Sequence, residues 1–289
     1  MPTRILLKTT IGPIVDDWNV ARFSLLAGHL GTRLDSGGNA LYEVTAHDRL
    51  DDGSGADIDL AQCATGAYEQ LWLIAVDNTG ALTAADIANI AQFRKLGGGI
   101  LLTRDHQDLG ACLARLESIG ATQFFQTVNP DPDPSRRCGD DLETPKITWP
   151  NFHSGANGDL QPVSVPTPLH PLMRTAAGQP IRRLPAHPHE GSVGVPEGLR
   201  DIARVVAQGR SRTTGATFNL CVAVEEAGKG RAVSDSSFHH FCDYNWNPGM
   251  GCPSFVDEPP GNEVLSSPGA LDDAHRYVEN IAAWLARRI

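Results

Sequence analysis

Short, wholly apolar runs at a regular spacing constrain this chain most. Ile5-Leu-Leu7, Leu71-Trp-Leu-Ile-Ala-Val76 and Ile100-Leu-Leu102 contain no polar residue, as a strand must when both of its faces are covered. Leu41-Tyr-Glu-Val-Thr45 reads as a further strand. Helical patterns fill the intervals. Trp18, Ala21 and Leu25 share one helical face behind a cap at Asp16 or Asp17. Thr83 and Asp86 open a second helix as a capping-box-like pair, and Gly97-Gly-Gly99 ends it. A third helix is expected over residues 108–118. Strands recurring every ~30 residues with helices between them predict right-handed βαβ units and a parallel sheet.

The pattern is interrupted and then resumes. Of 20 prolines, 13 lie between Pro130 and Pro196. Proline lacks an amide donor and fixes φ, so helix and central strand are disfavoured across 121–200. A linker between two domains would explain this. The stretch also carries Trp149, Phe152, His153, His187 and His189, which a solvated linker does not need, so it reads as an ordered loop covering a site. Beyond it, Ile202–Ala207 and Leu220–Val224 look like paired strands, and Arg231–Asp235 like another. A final helix capped at Ser267-Pro268 carries Leu271, Ala274, Val278, Ile281 and Leu285 on one face. The expectation is one α/β domain over 1–289, a three-layer sandwich around a mostly parallel, flavodoxin-like sheet, with 121–200 inserted.

Charge and cysteine content narrow the function classes. The chain has 24 Lys plus Arg against 34 Asp plus Glu, a net charge of −10. Such a surface repels phosphate backbones, so nucleic acid is not an expected partner. There is no run of 18 apolar residues for a membrane span, and the first residues lack the order of a signal peptide. A cytoplasmic location with reduced thiols follows as an expectation. The six cysteines show no C-x-x-C pair, which leaves no zinc ribbon. A bridge between Cys242 and Cys252 is open, and so is the oligomeric state, a homo-oligomer included.

Ligands of open parallel sheets bind beyond the carboxyl ends of the strands. Polar groups that could reach that edge are Lys8, Asp77, Asn78, Asp105, His106, Asn151, His153, His187, His189, Glu190, His239, His240 and Asp243. His187 and His189 would face the same side of an extended chain and could share one divalent ion (Zn, Mn or Fe), with Glu190, a distant His153 or His240, or His239 as a further ligand; a solvated turn around Pro188 is the alternative. Asp105 beside His106 could be an acid/base pair, or Asp105 could cap the following helix. On an extended chain at most one of His239 and His240 faces a given pocket. Lys8, Asp77, Asn78, Asn151, His153 and Asp243 are candidates for substrate binding; a surface turn is the alternative for Asn151–Asp159, and an ordinary loop for Asp243-Tyr-Asn-Trp-Asn247, whose amides beside aromatic rings could also hold a sugar.

Leu71–Val76, the helix after it and Gly97-Gly-Gly-Ile-Leu-Leu-Thr103, followed by Arg-Asp-His106, resemble the class I glutamine amidotransferase-like superfamily. Gly228-Lys-Gly-Arg-Ala-Val-Ser-Asp-Ser-Ser-Phe-His-His240 is similar to the late strand of its ThuA-like branch. The resemblance covers residues 3–120 and 216–289. It implies a nucleophilic Cys on the turn after Ile100–Thr103, where this chain has Arg104, Asp105 and His106, so glutaminase activity is not expected. The branch is associated with carbohydrate use. The reading is therefore a hydrolase or isomerase, in one version metal-assisted, acting on a small polar substrate, with sugar derivatives as the class the resemblance implies. His240, Asp105, His106 and Glu190 would be its acid/base groups. The other reading is a non-catalytic binding or assembly module.

Overall fold

The computed structural model describes residues 1–289 except 15, 78–79, 137–157, 187–190, 212–214, 255 and 257–258. Its first half follows the expected alternation: β1 (Thr3–Thr9), α1 (Ser24–Gly31), β2 (Tyr42–His47), α2 (Ile58–Cys63), β3 (Gln70–Ile74), α3 (Ala84–Lys95) and β4 (Gly99–Thr103). After α4 (Glu117–Gly120) come four short strands, β5 (Gln123–Phe124), β6 (Leu160–Pro162), β7 (Arg183–Pro185) and β8 (Ser192–Val193). Regular structure returns with β9 (Ala203–Arg210), β10 (Thr217–Val224) and β11 (Ala232–Asp235). Then follow α5 (Asp243–Trp246), α6 (Glu263–Ser266) and α7 (Ala270–Leu285).

The main sheet has seven strands in the order β2-β1-β3-β4-β11-β10-β9. β2, β1, β3, β4 and β11 are parallel, in the flavodoxin-like order, and β10 and β9 extend the sheet as an antiparallel hairpin. Residue alternation sorts the apolar runs between two cores. Ile5, Leu7, Trp72, Ile74, Leu101 and Val233 face α1 and α7. Leu6, Leu71, Leu73, Ile100 and Leu102 face α2, α3 and Leu113. The result is the three-layer α/β/α sandwich. Among the described residues no helix is long and apolar enough to cross a membrane.

Three expected helix boundaries differ. Trp18 precedes the first helical segment: Asn19 caps a 3-10 turn over Val20–Phe23, which runs into α1. Asp16 instead accepts from the Trp18 amide at 2.8 Å. The 108–118 helix is replaced by a 3-10 segment at Ala111–Arg115 and the single turn of α4. Gly110 sets that start, with φ +77 and an added Cβ only 2.7 Å from Ala75 Cβ, so the chain there hugs the sheet in a backbone shape only glycine takes easily. α7 begins at Ala270 behind a left-handed Gly269, not at Ser267-Pro268. Cys242 and Cys252 are both free thiols.

The described part of the proline-rich stretch has two destinations. Residues 158–186 pack beside α7 and β9, burying Leu172, Met173, Ile181 and Leu184 in the first core. Asn280 of α7 donates to the carbonyls of Leu172 (3.0 Å) and Arg174 (2.7 Å). β5 and β8 form a separate ribbon, tied to the sheet by Gln123, which donates to the Leu102 and Asp235 carbonyls at 3.4 Å. Thus proline-rich backbone fills a flank of the sandwich as well as approaching its carboxyl edge.

One histidine of this flank makes the fold pH-sensitive. His170 caps the Pro171–Met173 turn, its Nδ1 accepting from the Leu172 amide, and lies against Trp284. Burial, reinforced by Arg204, Arg231 and Arg174, pushes its pKa from 6.5 down to about 4. The unfolded chain then binds a proton that the folded chain refuses, so stability is full above pH 6.5 and falls as pH drops towards 4. Denaturant titrations should show a loss of roughly 1–3 kcal/mol across that window. His170→Asn, which keeps a capping acceptor without the titration, should remove part of the loss and leave the share of His275, which burial also lowers to about 4; an unchanged pH dependence would contradict this assignment.

Candidate active site at the carboxyl edge

The carboxyl ends of β4 and β11 meet in a dense polar cluster. β11 ends at Asp235, whose carboxylate is fully buried. It accepts from the Ser237 amide (3.0 Å), His240 Nδ1 (2.8 Å) and Tyr277 Oη on α7 (2.7 Å). A buried carboxylate needs this many donors to stay charged without a large desolvation cost. Burial and the neighbouring Asp235 charge raise the Tyr277 pKa, so the phenol remains a proton donor. The Asp235 contact puts the ring proton on His240 Nδ1 and makes Nε2 the acceptor nitrogen of the ring. Trp246 Nε1 donates to the His240 carbonyl at 2.8 Å and holds the backbone.

His239 is fixed in the same way by a different acceptor. The expected extended backbone is a 3-10 turn here, Phe238–His240, capped by Ser237, and it buries both imidazoles. His239 Nδ1 lies 3.0 Å from Asn245 Oδ1, and the Asn245 amide nitrogen donates to the Ala186 carbonyl at 2.9 Å, which orients the side chain. His239 Nε2 is 3.8 Å from Asp105 Oδ2, and His106 Nδ1 is 3.0 Å from the same oxygen. Asp105 therefore lies between two imidazoles. The Trp18 indole packs edge-on to His239, with ring centroids 4.9 Å apart.

Of the residues picked out in the sequence, Asp105, His106 and His239 are brought together, and His240 follows on the same turn with its ring on Asp235. Asp77 stands at the end of β3, where its carboxylate takes the Cys112 thiol at 3.3 Å. Burial and Asp77 push that thiol well above its ordinary pKa, the reverse of an activated nucleophile. Lys8 is 1% exposed and forms ion pairs with Asp57 (2.9 Å) and Asp59 (2.6 Å) under α2. Asp243 accepts from the Ser24 amide (3.1 Å), the Ser24 hydroxyl (2.6 Å) and the Leu25 amide (2.8 Å), closing the amino end of α1. Lys8 and Asp243 thus hold the fold together. Asn78, Asn151, His153, His187, His189 and Glu190 lie outside the described residues. The flanks of 187–190 are anchored at this edge, Ala186 through Asn245 and Gly191 through its amide on the Ser236 carbonyl at 2.8 Å. Among the described residues no group of three or more His, Cys, Asp or Glu side chains could hold a metal ion.

The sequence reading missed Asp235, Tyr277 and Trp18. Asp235 alone carried a signal, an acid ending an apolar strand. It also missed a groove of about 530 Å³ between α1 and α7, lined by Leu25, His29, Trp246, Leu265, Leu271 and His275. His29 and His275 stack there at 4.0 Å, and burial pushes His275 down to about 4.

Capping by Asp243 is a specific, measurable part of this picture. Asp243→Ala should cost about 1–2 kcal/mol of stability in denaturant titration. The hydrogen bonds to Asp235 and Asn245 do not involve it, so ligand binding at the edge should survive. Loss of binding with unchanged stability would make Asp243 a ligand contact instead.

No protein-family model matches the chain, and no curated protein matches it. Among solved structures it is similar to the mmIFT52 N-terminal domain, with a TM-score of 0.56 at 12% identity over 97% of this chain and 96% of that one. A putative ThuA-like protein from Parabacteroides merdae aligns at a TM-score of 0.47 and 15% identity over 98% and 91%. The CTPS glutaminase domain of Trypanosoma brucei aligns at 0.49 and 12% over 99% and 94%. At these identities the likeness is one of fold.

Proposed function

We propose that the chain is an enzyme that performs general acid–base chemistry on a small polar molecule at the carboxyl edge of its sheet. Hydrolysis or isomerisation is the reaction class, and sugar derivatives are the first substrates to try. The buried Tyr277–Asp235–His240 chain carries this reading. A carboxylate that holds the imidazole proton on Nδ1 keeps Nε2 basic and stabilises the imidazolium formed when Nε2 takes a proton. In hydrolysis His240 would draw the proton from the attacking water, and in isomerisation from a carbon next to a carbonyl. The second proton transfer falls to Asp105, which His106 and His239 flank. With Cys112 buried and protonated, the acyl-enzyme route of a glutaminase is not part of the proposal.

The test is a turnover screen of sugar lactones, esters and aldose–ketose pairs, read by NMR, followed by variants. For any substrate found, His240→Gln and Asp235→Asn should each lower kcat by about 10²–10⁴-fold, the usual share of a positioned acid/base. Tyr277→Phe should act more weakly through Asp235. Turnover that is indifferent to His240→Gln, in protein of unchanged fold, would contradict the proposal.

A further inference from the structure

Arg104 follows β4 directly, on the turn that presents Asp105 and His106. Its side chain is 0% exposed. Its carbonyl accepts from the Phe238 amide at 2.8 Å, so the residue lies where the ends of β4 and β11 join. The guanidinium packs over the Phe125 ring, 4.1 Å from the centroid, and Nη2 donates to the Gln107 carbonyl. Nε and Nη1 are buried and have no hydrogen-bond partner among the described residues. Among the described residues no carboxylate lies within ion-pairing distance of it.

Such a group is expensive to keep. Buried cations are ordinarily paired, and a buried guanidinium with donors unused needs an explanation beyond packing. The aromatic face compensates only part of the lost hydration. Burial lowers the Arg104 pKa to about 9, with Asp105 and Asp108 opposing the shift. The wall beside Nη1 is the backbone of Gly191, where an added Cβ would lie 2.3 Å from Nη1 and 2.6 Å from the Ser236 carbonyl. Residue 191 has no room for a side chain because the guanidinium packs directly on its backbone.

The geometry points to an oxyanion as the missing partner: we propose that Arg104 anchors a carboxylate or phosphate group of the substrate beneath Asp105 and His106. Guanidinium suits both groups, because its planar donors match their oxygens. The inference rests on the acid–base reading only for the location of the site; anion binding needs no turnover, so the two can fail separately.

The experiment titrates the full-length chain with inorganic phosphate and, separately, with acetate, using sodium chloride at matched ionic strength as control. Binding is read by calorimetry and by the ¹⁵N resonance of Arg104 Nε, identified by its loss in Arg104→Lys. The expected result is saturable binding that shifts this resonance and weakens at least tenfold in Arg104→Gln. Saturation by phosphate points to phosphorylated substrates, and saturation by acetate to carboxylic acids. If Arg104→Gln does not fold, the wild-type Nε shift decides. The inference is overturned if neither anion saturates, if the Nε resonance stays in place, or if Arg104→Gln binds as tightly as the wild type.

Discussion

The Asp235 carboxylate is the contact on which the proposed chemistry depends. It is buried at the end of β11 and satisfied by three donors from three places: the next turn, His240 and α7. A buried charge tolerates no missing donor. Its requirement therefore positions the Phe238–His240 turn, docks α7 through Tyr277 and selects the tautomer of His240. Substituting it by a residue of similar volume but no charge would leave Tyr277 and His240 competing for a single acceptor. Stability and chemistry are coupled here.

The same economy of donors explains why several conspicuous polar residues do not meet at the edge. Lys8 and Asp243 look like ligand-binding groups in the sequence because each is polar and next to a predicted strand end. Lys8 is neutralised by two aspartates of α2 and its approach, and Asp243 closes a helix more than two hundred residues away. Each interior charge is matched by partners, as burial demands. Arg104 differs in that two of its buried donors have no partner among the described residues, and for that reason they are informative.

Much of the fold was legible because it rests on local rules. Uninterrupted apolar runs identified β1, β3 and β4 as strands buried on both faces, and the Thr83–Asp86 pair fixed the start of α3, where both capping hydrogen bonds are present. Resumed patterning after residue 200 correctly joined β9, β10 and β11 to the same sheet. What was not legible depends on distant partners. The start of α1 was misplaced because its cap comes from Asp243. The Asp235–Tyr277 contact joins residues 42 apart on a strand and a helix. The adjacent pair His239-His240 was read as a strand end, but a 3-10 turn lets both rings be buried and separately held. Of the site itself, Asp105, His106, His239 and His240 were visible as unusual residues at strand ends, and their supporting partners were not.

The most direct test of this account is the protonation of His240 in the folded chain. Long-range ¹H–¹⁵N NMR should find a proton on Nδ1, slow to exchange because Asp235 accepts it in a buried site, and Asp235→Asn should abolish that protection in a folded protein. A His240 ring without a proton on Nδ1, or one whose exchange is indifferent to Asp235→Asn, would contradict the central claim that Asp235 orients His240 for proton transfer.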